Sequence, residues 1–489
     1  MGPPAMTRRA VGGIAGAAGL IAVLTLLSRA AGFGRTLVFA DSVRASGIGD
    51  VYNIVNAVPN VVHEVAAGGA LAAVTVPLIA GHLGRGHQRQ AHAVASTLLT
   101  WALVILIPLA VLVWALAEPI SDLLVSDGDG ARTGAVMLRI FALQIPLYGI
   151  AIVVSGLLHA HSRFAAVALA PLVSSVVVMA TYAAYGSIAQ GATTAVPTRA
   201  IGVLAWGTTA GVAALALPLL VPAWRSGWRY RPSLRFTGTD ASRARRLAGA
   251  GLLALAAQQI ATLLSLRLAG LYGGGEGAVS VYTWILAVVM LPYAVLVIPL
   301  ATAAFPALAA RAGEVGDTIP GRGDDASHLL GRALHIAVLL GAVGALALFL
   351  TSPLVGGVFS FLDARRGGGT VSGAAVPAMS EGLRAFAPGL VGFGVQALLT
   401  RALYVRGRPL TAGAAVAIGW AVAVGIPAVL LAADAGAART VVLLGVGWSV
   451  GMTLAAGLLL ALAVRHWGTG ILHGWGETLT YLARRWQRR

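Results

Sequence analysis

Two arginines stand six residues apart in an otherwise apolar stretch near the N-terminus, LLSRAAGFGRTLVFADS at residues 26–42. The guanidinium groups of Arg29 and Arg35 stay protonated, so each needs water, an anion or a route to the membrane surface. Planar guanidinium forks suit phosphate, and the pair therefore predicts an anion-binding site. Two alternatives stay open: Arg35 reaches outward or pairs with Asp50, and Arg29 binds the carbonyl of a neighbouring helix.

The helix that carries these arginines must bring them to one place. Six residues correspond to about 600° of rotation, so on a straight α-helix the two side chains point about 120° apart. Gly32 and Gly34 lie between them, and each glycine lowers helix stability by about 1 kcal/mol. A kink at these glycines is expected to turn both guanidinium groups toward one cavity.

Other residues with chemical potential are sparse, which argues against an enzyme. The chain has no Cys, and its ten His show no spacing such as HExxH, so we predict neither a metal nor a cofactor. The Gly-rich stretches at 271–277 and 365–373 lack the GK[ST] of a nucleotide-binding loop. His63 and Glu64 are the adjacent pair that resembles proton chemistry; a proton relay and a cavity-lining or surface-reaching role are both open.

Composition places these residues in a membrane protein. The 489 residues are 58% hydrophobic and 10% charged, whereas soluble proteins carry about 25% charged residues. The mean hydropathy is +0.85. Segments long and apolar enough to span a bilayer lie near 11–36, 51–80, 92–117, 133–158, 164–187, 200–223, 247–271, 278–310, 329–351, 382–405, 410–433 and 440–464. The sequence therefore predicts an all-α polytopic membrane protein with about 12 transmembrane helices.

The charge of the loops predicts the orientation in the membrane. All 34 basic residues are Arg, and 22 of them lie in alternate loops together with both termini. Because Arg-rich loops stay in the cytoplasm, both termini are expected to be cytoplasmic. The same rule accounts for the net charge of +17 without nucleic acid. Besides Arg29 and Arg35, four arginines within or at the edges of spans are candidate cavity cations: Arg139, Arg267, Arg384 and Arg401.

The second half of the chain echoes the first. LRIFALQIPLYG from residue 138 matches LRAFAPGLVGFG from residue 383 at an offset of 245, and a smaller offset places Arg35 on Arg267. Six spans separate the copies, an even number, so the repeat is parallel. We therefore predict two six-helix lobes around a central cavity, which is a transporter architecture.

The polar segments between and after the lobes complete the predicted division of the chain. The segment between the lobes mixes Trp, Tyr and Arg, a mixture that also occurs in nucleic-acid-binding segments. Its place between two spans favours contact with lipid headgroups instead. The predicted divisions are an N-lobe at 1–223, a basic cytoplasmic linker at 224–246, a C-lobe at 247–470 and an amphipathic basic tail at 471–489.

A stretch of the N-lobe resembles a known family. Residues 28–80 contain the start S-R-x-x-G-F-x-R, an acid at Asp50 and a Pro-Asn pair at 59–60. They are similar to the first two spans of MurJ/MviN-type lipid II flippases, in the multidrug/oligosaccharidyl-lipid/polysaccharide exporter superfamily, and residues 282–312 resemble the eighth span. The resemblance implies a flippase that moves undecaprenyl-diphosphate-linked peptidoglycan precursor (lipid II) across the bacterial cytoplasmic membrane by alternating access.

The resemblance also implies roles for residues. Contacts to the diphosphate and headgroup are implied for Ser28, Arg29 and Arg35. A gate or ion pair is implied for Asp50, Asn53, Asn60, His63 and Glu64. Where this chain has His63 and Glu64, well-known members have two adjacent basic residues, so fewer cations line the cavity here. The implied partners are a lipid-linked glycan, membrane lipids and cell-wall synthesis proteins, with no nucleic acid.

Two other functions stay open on the sequence. The first is a twelve-span secondary solute or drug antiporter of the major-facilitator kind. GHLGRGHQRQ at 81–90 faintly resembles the basic loop of that superfamily but lacks its acid. The second is a degenerate membrane scaffold without transport. Helix order in a structure tests the first, and the effect of alanine at Arg29 tests the second.

Overall fold

The computed structural model describes most of the chain. The described residues are 5–45, 47–66, 72–192, 195–235, 252–273, 276–298, 300, 308, 322–432 and 435–472. Every regular element within them is helical, so the predicted all-α class is confirmed. Most of the predicted tail at 471–489 and the second half of the predicted linker lie outside the described residues.

The helices of the described part are numbered in chain order. They are α1 (Ala5–Ser42), α2 (Ile48–Val65), α3 (Ala72–Leu83), α4 (Gln88–Ala115), α5 (Ala117–Leu124), α6 (Gly128–Phe141), α7 (Gln144–Ala160), α8 (Phe164–Ala189), α9 (Thr198–Ala216), α10 (Leu220–Arg225), α11 (Leu252–Gly273), α12 (Ala278–Pro292), α13 (Arg322–Arg365), α14 (Met379–Phe386), α15 (Gly389–Val405), α16 (Pro409–Leu430) and α17 (Gly436–Trp467). A 3₁₀ turn at Leu217–Leu219 joins α9 to α10, and a π-helical turn at Tyr293–Val297 follows α12.

Membrane-spanning elements account for most of these helices. Within the described residues, ten helical segments are long and apolar enough to cross a bilayer, or eleven when the bent pair α14 and α15 counts as one span. Twelve spans were predicted. The difference lies at 51–80, where α2 is described to Val65, α3 is described from Ala72, and residues 67–71 lie outside the described part.

Two predicted spans are interrupted at equivalent positions. Helix α6 ends at Phe141 and α7 begins at Gln144, while α14 ends at Phe386 and α15 begins at Gly389. Both pairs of boundaries are related by the offset of 245 that the sequence repeat predicts, and α7 and α15 each contain 17 residues. The bend between α14 and α15 is 41°. The repeat is therefore visible in the helix boundaries themselves.

The chain divides into two compact units. Unit 1 comprises Met1–Arg44, Val51–Gly249 and Leu362–Gly369, and unit 2 comprises Ala45–Asp50, Ala250–Phe361 and Thr370–Arg489. Each unit thus takes one short segment from the opposite half of the sequence. The predicted lobes, 1–223 and 247–470, have no such exchange and stay a prediction.

Each unit has its own aromatic core. In unit 1, the ring of Tyr52 lies 5.4 Å from Phe39 and 5.7 Å from Phe141, measured between centroids. In unit 2, the ring of Phe386 lies 6.0 Å from Tyr282 and 5.4 Å from Trp448. Phe141 and Phe386 are equivalent in the repeat, so the two cores are built around corresponding rings.

Candidate functional site

The predicted anion-binding residue Arg35 lies on a polar face of unit 1. Its side chain on α1 is exposed, and its charge acts on the hydroxyl groups of Tyr52, Tyr148 and Tyr182. These tyrosines belong to α2, α7 and α8 and are buried. Because the charge acts on hydroxyls of three other helices, Arg35 lies close to α2, α7 and α8.

The tyrosines around Arg35 are fixed by hydrogen bonds. The Tyr52 hydroxyl lies 2.8 Å from the Tyr182 hydroxyl and 3.1 Å from Oγ1 of Thr208. The Tyr148 hydroxyl donates to Oδ1 of Asn60 at 2.9 Å, which places the predicted gate residue Asn60 in this network. Buried hydroxyl networks that are fully bonded make a site rigid.

Arg29 lies about 9 Å from Arg35 along α1, at 1.5 Å per residue. It is exposed, and its charge acts on the carboxyl group of Glu64. Helix α1 continues through Gly32 and Gly34. The two arginines therefore lie at two different heights along α1. Neither guanidinium makes a hydrogen bond or ion pair with any residue that the structure describes, which leaves donors of both for a ligand.

The predicted pair His63 and Glu64 lies on the same face. The ring of His63 is 4.3 Å from the ring of Tyr148, between centroids. Its Nδ1 is buried and has no hydrogen-bond partner, whereas Glu64 is exposed. The structure thus brings together Arg29, Arg35, Asn60, His63 and Glu64, and it adds tyrosines that the sequence analysis did not single out. A Tyr inside an apolar span was the available signal, because a buried hydroxyl needs a partner.

Ser28 and Asn53 have other surroundings. The Ser28 hydroxyl donates within the protein, at 2.7 Å from the Ala168 carbonyl oxygen of α8 and 2.9 Å from that of Leu24. Asn53 is half-buried on α2 and has a partner of its own. The role of Ser28 in substrate binding stays a prediction, and its hydroxyl oxygen still has capacity to accept.

Asp50, the predicted gate acid, caps a helix in unit 2. It is 4% exposed, and its carboxylate accepts from the Gly277 amide at 3.2 Å and from the Ser280 amide at 2.9 Å. The Ser280 hydroxyl also donates to it, at 2.7 Å. These donors form the first turn of α12, where a carboxylate is stabilised by the unpaired amides and the helix dipole. Asp50 therefore binds the start of the span that follows.

The other predicted cavity cations are held by protein groups. Arg139 pairs with Glu118 at 2.8 Å and lies 6.0 Å from the centre of the Trp114 ring. Arg384 donates to Oγ of Ser352 at 3.0 Å and lies 5.6 Å from the Phe349 ring. Arg401 donates to the Ala397 carbonyl at 2.7 Å and is half-buried, as is Arg267. Their role as cavity cations stays a prediction.

A cluster of charges that the sequence analysis missed lies at the end of α1. The Asp41 carboxylate accepts from Nε of Arg365 at 2.6 Å on one oxygen and from Nε of Arg366 at 3.0 Å on the other. Beside it, Nε of Arg44 donates to the Asp363 carbonyl at 2.7 Å. These five residues form the Asp41 cluster of unit 1. The sequence signal that could have revealed this cluster is an acid in the last turn of a helix, where the helix dipole disfavours a negative charge.

Close backbone approaches build the Asp41 cluster. Arg44 has φ +73°, a left-handed conformation that is rare outside glycine, and its Nη1 donates to the Gly191 carbonyl at 3.0 Å. A Cβ on Gly191 would overlap with the Arg366 carbonyl oxygen. The loop after α8 and the end of α13 can therefore meet only with glycine at this position.

Unit 2 contains an apolar cavity of about 760 Å³. Its walls come from α14, the link between α14 and α15, and α17, and they include Ala385, Pro388, Val450, Leu454 and Leu458. Two hydroxyl groups, of Ser449 and Thr453, are the polar side chains of this lining. Such a surface suits a hydrocarbon chain. No group of three or more His, Asp or Glu among the described residues has the arrangement of a metal site.

Comparisons with known proteins agree with this fold. A family model described as "Lipid II flippase MurJ" matches residues 39–485. A lipid II flippase MurJ from Burkholderia cenocepacia is 26% identical over 395 residues, covering 78% of this chain and 71% of the relative. A solved lipid II flippase MurJ in an inward closed conformation has a TM-score of 0.67 at 15% identity, over 96% of this chain and 92% of that chain. An inward-facing multidrug resistance MATE family transporter of the MOP superfamily has a TM-score of 0.69 at 16% identity, over 90% and 94%.

Proposed function

Because the chain belongs to the MurJ family of lipid II flippases, it is a membrane transporter and not an enzyme, and we propose which of its residues handle the substrate. Lipid II is a polyprenyl diphosphate that carries a peptidoglycan precursor, and the chain moves it across the inner membrane. We propose that the diphosphate is bound on the face of unit 1 formed by Arg29, Arg35, Tyr148, Asn60 and His63, during alternating access.

One observation carries this proposal. Arg29 and Arg35 are exposed on a helix of an otherwise apolar span, and neither is bonded to a described residue. Cations without protein ligands in a span are costly unless water or an anion meets them. The two guanidinium forks supply donors for a diphosphate, which accepts through several oxygens.

The direct test reverses the charge of Arg29. Arg29→Glu in a flippase-depleted bacterium should abolish complementation although the protein is still present in the membrane. Arg199→Glu is the matched control, because Arg199 is exposed near the start of α9 and has no assigned role, and it should complement. Growth supported equally by Arg29→Glu and the unchanged chain would refute the diphosphate site.

A second measurement separates this function from drug export by a protein of similar fold. The purified chain in vesicles should make lipid II accessible on the far side, and Arg29→Glu should slow that transfer by at least about tenfold, the value of a charge-assisted hydrogen bond. Export of cationic drugs with no transfer of lipid II would favour the antiporter.

The orientation and the partners belong to the same proposal. We propose that both termini are cytoplasmic, because most loop arginines then lie on the cytoplasmic side. Membrane lipids and cell-wall synthesis proteins are the proposed partners, since the latter make or consume a lipid-linked precursor. Enzymatic reporters fused to the N-terminus should be active only on the cytoplasmic side; activity on the other side would contradict this orientation.

A further inference from the structure

The segment after α10 runs along helix α4 as a bonded strap. We define the strap as residues 226–235, which follow the last turn of α10 in unit 1. Trp228 is 1% exposed, and its indole Nε1 donates to Oγ of Ser96 at 3.2 Å. The Tyr230 hydroxyl lies 3.1 Å from Oγ1 of Thr100. The strap is therefore anchored on its inner side by aromatic residues.

Backbone groups of the strap complete its attachment to α4. The Ser233 amide donates to Oγ1 of Thr100 at 3.2 Å, and the indole of Trp101 donates to the Leu234 carbonyl at 3.0 Å. Ser96 and Thr100 are four residues apart and share one polar stripe of α4, and Trp101 lies beside that stripe. The strap covers this polar stripe in a helix that is otherwise apolar, so its path is defined by specific bonds.

The outer side of the strap and of the preceding helix turn presents arginines. Arg225, Arg229, Arg231 and Arg235 are all exposed. Nη1 of Arg229 donates to the carbonyl groups of Trp224 and Trp228, at 2.8 and 3.0 Å. The side chains of Arg225, Arg231 and Arg235 make no hydrogen bond or ion pair with the described residues.

Exposed apolar side chains stand among these arginines. Trp224 is 49% exposed, Leu234 51% and Trp101 39%. Tryptophan and tyrosine with arginine are the residues that proteins place at the level of lipid headgroups. The strap follows the candidate membrane span that ends at Arg225, and a segment that leaves a bilayer is expected to meet the lipid phosphates and the upper acyl chains.

We propose that the strap and Arg225 form a docking surface for anionic phospholipid headgroups. The arginines bind the lipid phosphates, while Trp224, Leu234 and Trp101 insert among the upper methylene groups. The net positive charge of the surface selects lipids with a net negative charge, such as phosphatidylglycerol, over zwitterionic ones. This site is distinct from the face that carries Arg29 and Arg35, and it does not depend on the transport proposal.

Native mass spectrometry of the full chain in a neutral detergent tests this proposal. Phosphatidylglycerol and phosphatidylcholine are added separately, and bound lipids are counted. The variant Arg225→Gln/Arg231→Gln/Arg235→Gln should bind phosphatidylglycerol at least about tenfold more weakly, since each basic residue near an anionic surface contributes several-fold. The matched control, Arg132→Gln/Arg199→Gln/Arg439→Gln, removes three other exposed arginines and should bind normally. Equal loss in both variants, or loss in neither, overturns the proposal.

Two further arms keep the result decisive. In the unchanged chain, added salt should weaken binding of phosphatidylglycerol and leave phosphatidylcholine unaffected, which needs no folded variant. Undecaprenyl diphosphate should not displace phosphatidylglycerol. Displacement one for one, with both lipids lost in the strap variant, would make the surface a substrate site and overturn the assignment to phospholipid.

Discussion

Units 1 and 2 share a helix plan but differ in chemistry at an equivalent position. Tyr148 of α7 and Phe393 of α15 are related by the offset of 245. The Tyr148 hydroxyl bonds to Asn60 and feels the charge of Arg35. Phe393 instead packs against Tyr293 and Trp448, at 4.6 and 5.6 Å between ring centroids. At this position, therefore, unit 1 has a hydroxyl close to an arginine and unit 2 has a phenyl ring in an aromatic cluster.

The two short segments that each unit takes from the opposite half of the sequence, 362–369 and 45–50, are also attached by different chemistry. Unit 1 holds residues 362–369 through the ion pairs of Asp41, and the side chains of Arg365 and Arg366 are 57% and 32% exposed. Unit 2 holds residues 45–50 through the buried carboxylate of Asp50, which accepts from α12. In the first attachment the carboxylate is 11% exposed and its arginines reach solvent, whereas the second is a buried helix cap. Salt is therefore expected to weaken the first attachment more than the second.

The largest effect is expected from a comparison in which one arginine in each unit, Arg35 or Arg384, is replaced by glutamine. Arg35→Gln should slow lipid II transfer by about 30-fold or more, because a charge-assisted bond to the diphosphate contributes about 2–3 kcal/mol. Arg384→Gln in unit 2 should change transfer less than about twofold, since Arg384 already bonds to Ser352. Transfer in vesicles measures both; equal effects would mean that the two units share the charged ligand.

The next effect concerns the buried cap of unit 2. Asp50→Ala leaves two amides and one hydroxyl of the α12 start without their acceptor, which should cost about 2–3 kcal/mol of stability. Asp50→Asn keeps one acceptor oxygen and should cost less. Thermal unfolding in detergent measures the loss, and a wild-type midpoint for Asp50→Ala would show that the cap is not stabilising.

A smaller effect is expected at the Asp41 ion pairs of unit 1. Asp41→Asn should lower stability by about 1 kcal/mol, because the arginines that pair with Asp41 keep access to solvent, which limits the contribution of an ion pair. The difference from wild type should shrink at high salt, whereas the loss for Asp50→Ala should not. A loss of stability for Asp41→Asn that does not depend on salt would mean that the Asp41 and Asp50 attachments do not differ in their response to salt.

The smallest effect is expected when Tyr148 is given the side chain of its equivalent, Phe393. Tyr148→Phe removes one hydrogen bond to Asn60 and should lower transfer a few-fold, corresponding to about 0.5–1.5 kcal/mol. The chain should remain as stable as wild type within about 1 kcal/mol. Unchanged transfer would indicate that the hydroxyl positions Asn60 without affecting the ligand.

Much of the architecture could be predicted from composition and periodicity. The helical class follows from apolar runs, and the offset of 245 found between Phe141 and Phe386 reappears in the helix boundaries. The length of the second predicted span could not be foreseen. Hydropathy averages over 51–80, whereas neither α2 nor α3 by itself is among the described helices that are long and apolar enough to cross a bilayer.

The candidate site was predicted in part. Arg29, Arg35 and His63 could be found because charge and imidazole are unusual in apolar sequence. The tyrosines could not, because their significance depends on which helices pack together: Tyr52 and Tyr182 are 130 residues apart and bond at 2.8 Å. The same holds for Asp41, whose partners follow it by 324 and 325 residues.

The exchanged segments also set an order for biosynthesis. Arg365 and Arg366, which neutralise Asp41 in unit 1, are translated long after the rest of that unit has entered the membrane. A nascent chain therefore carries an uncompensated carboxylate at the end of its first helix until the ribosome has passed residue 366. An N-terminal fragment ending at residue 235 should be degraded faster than the same fragment with Asp41→Asn.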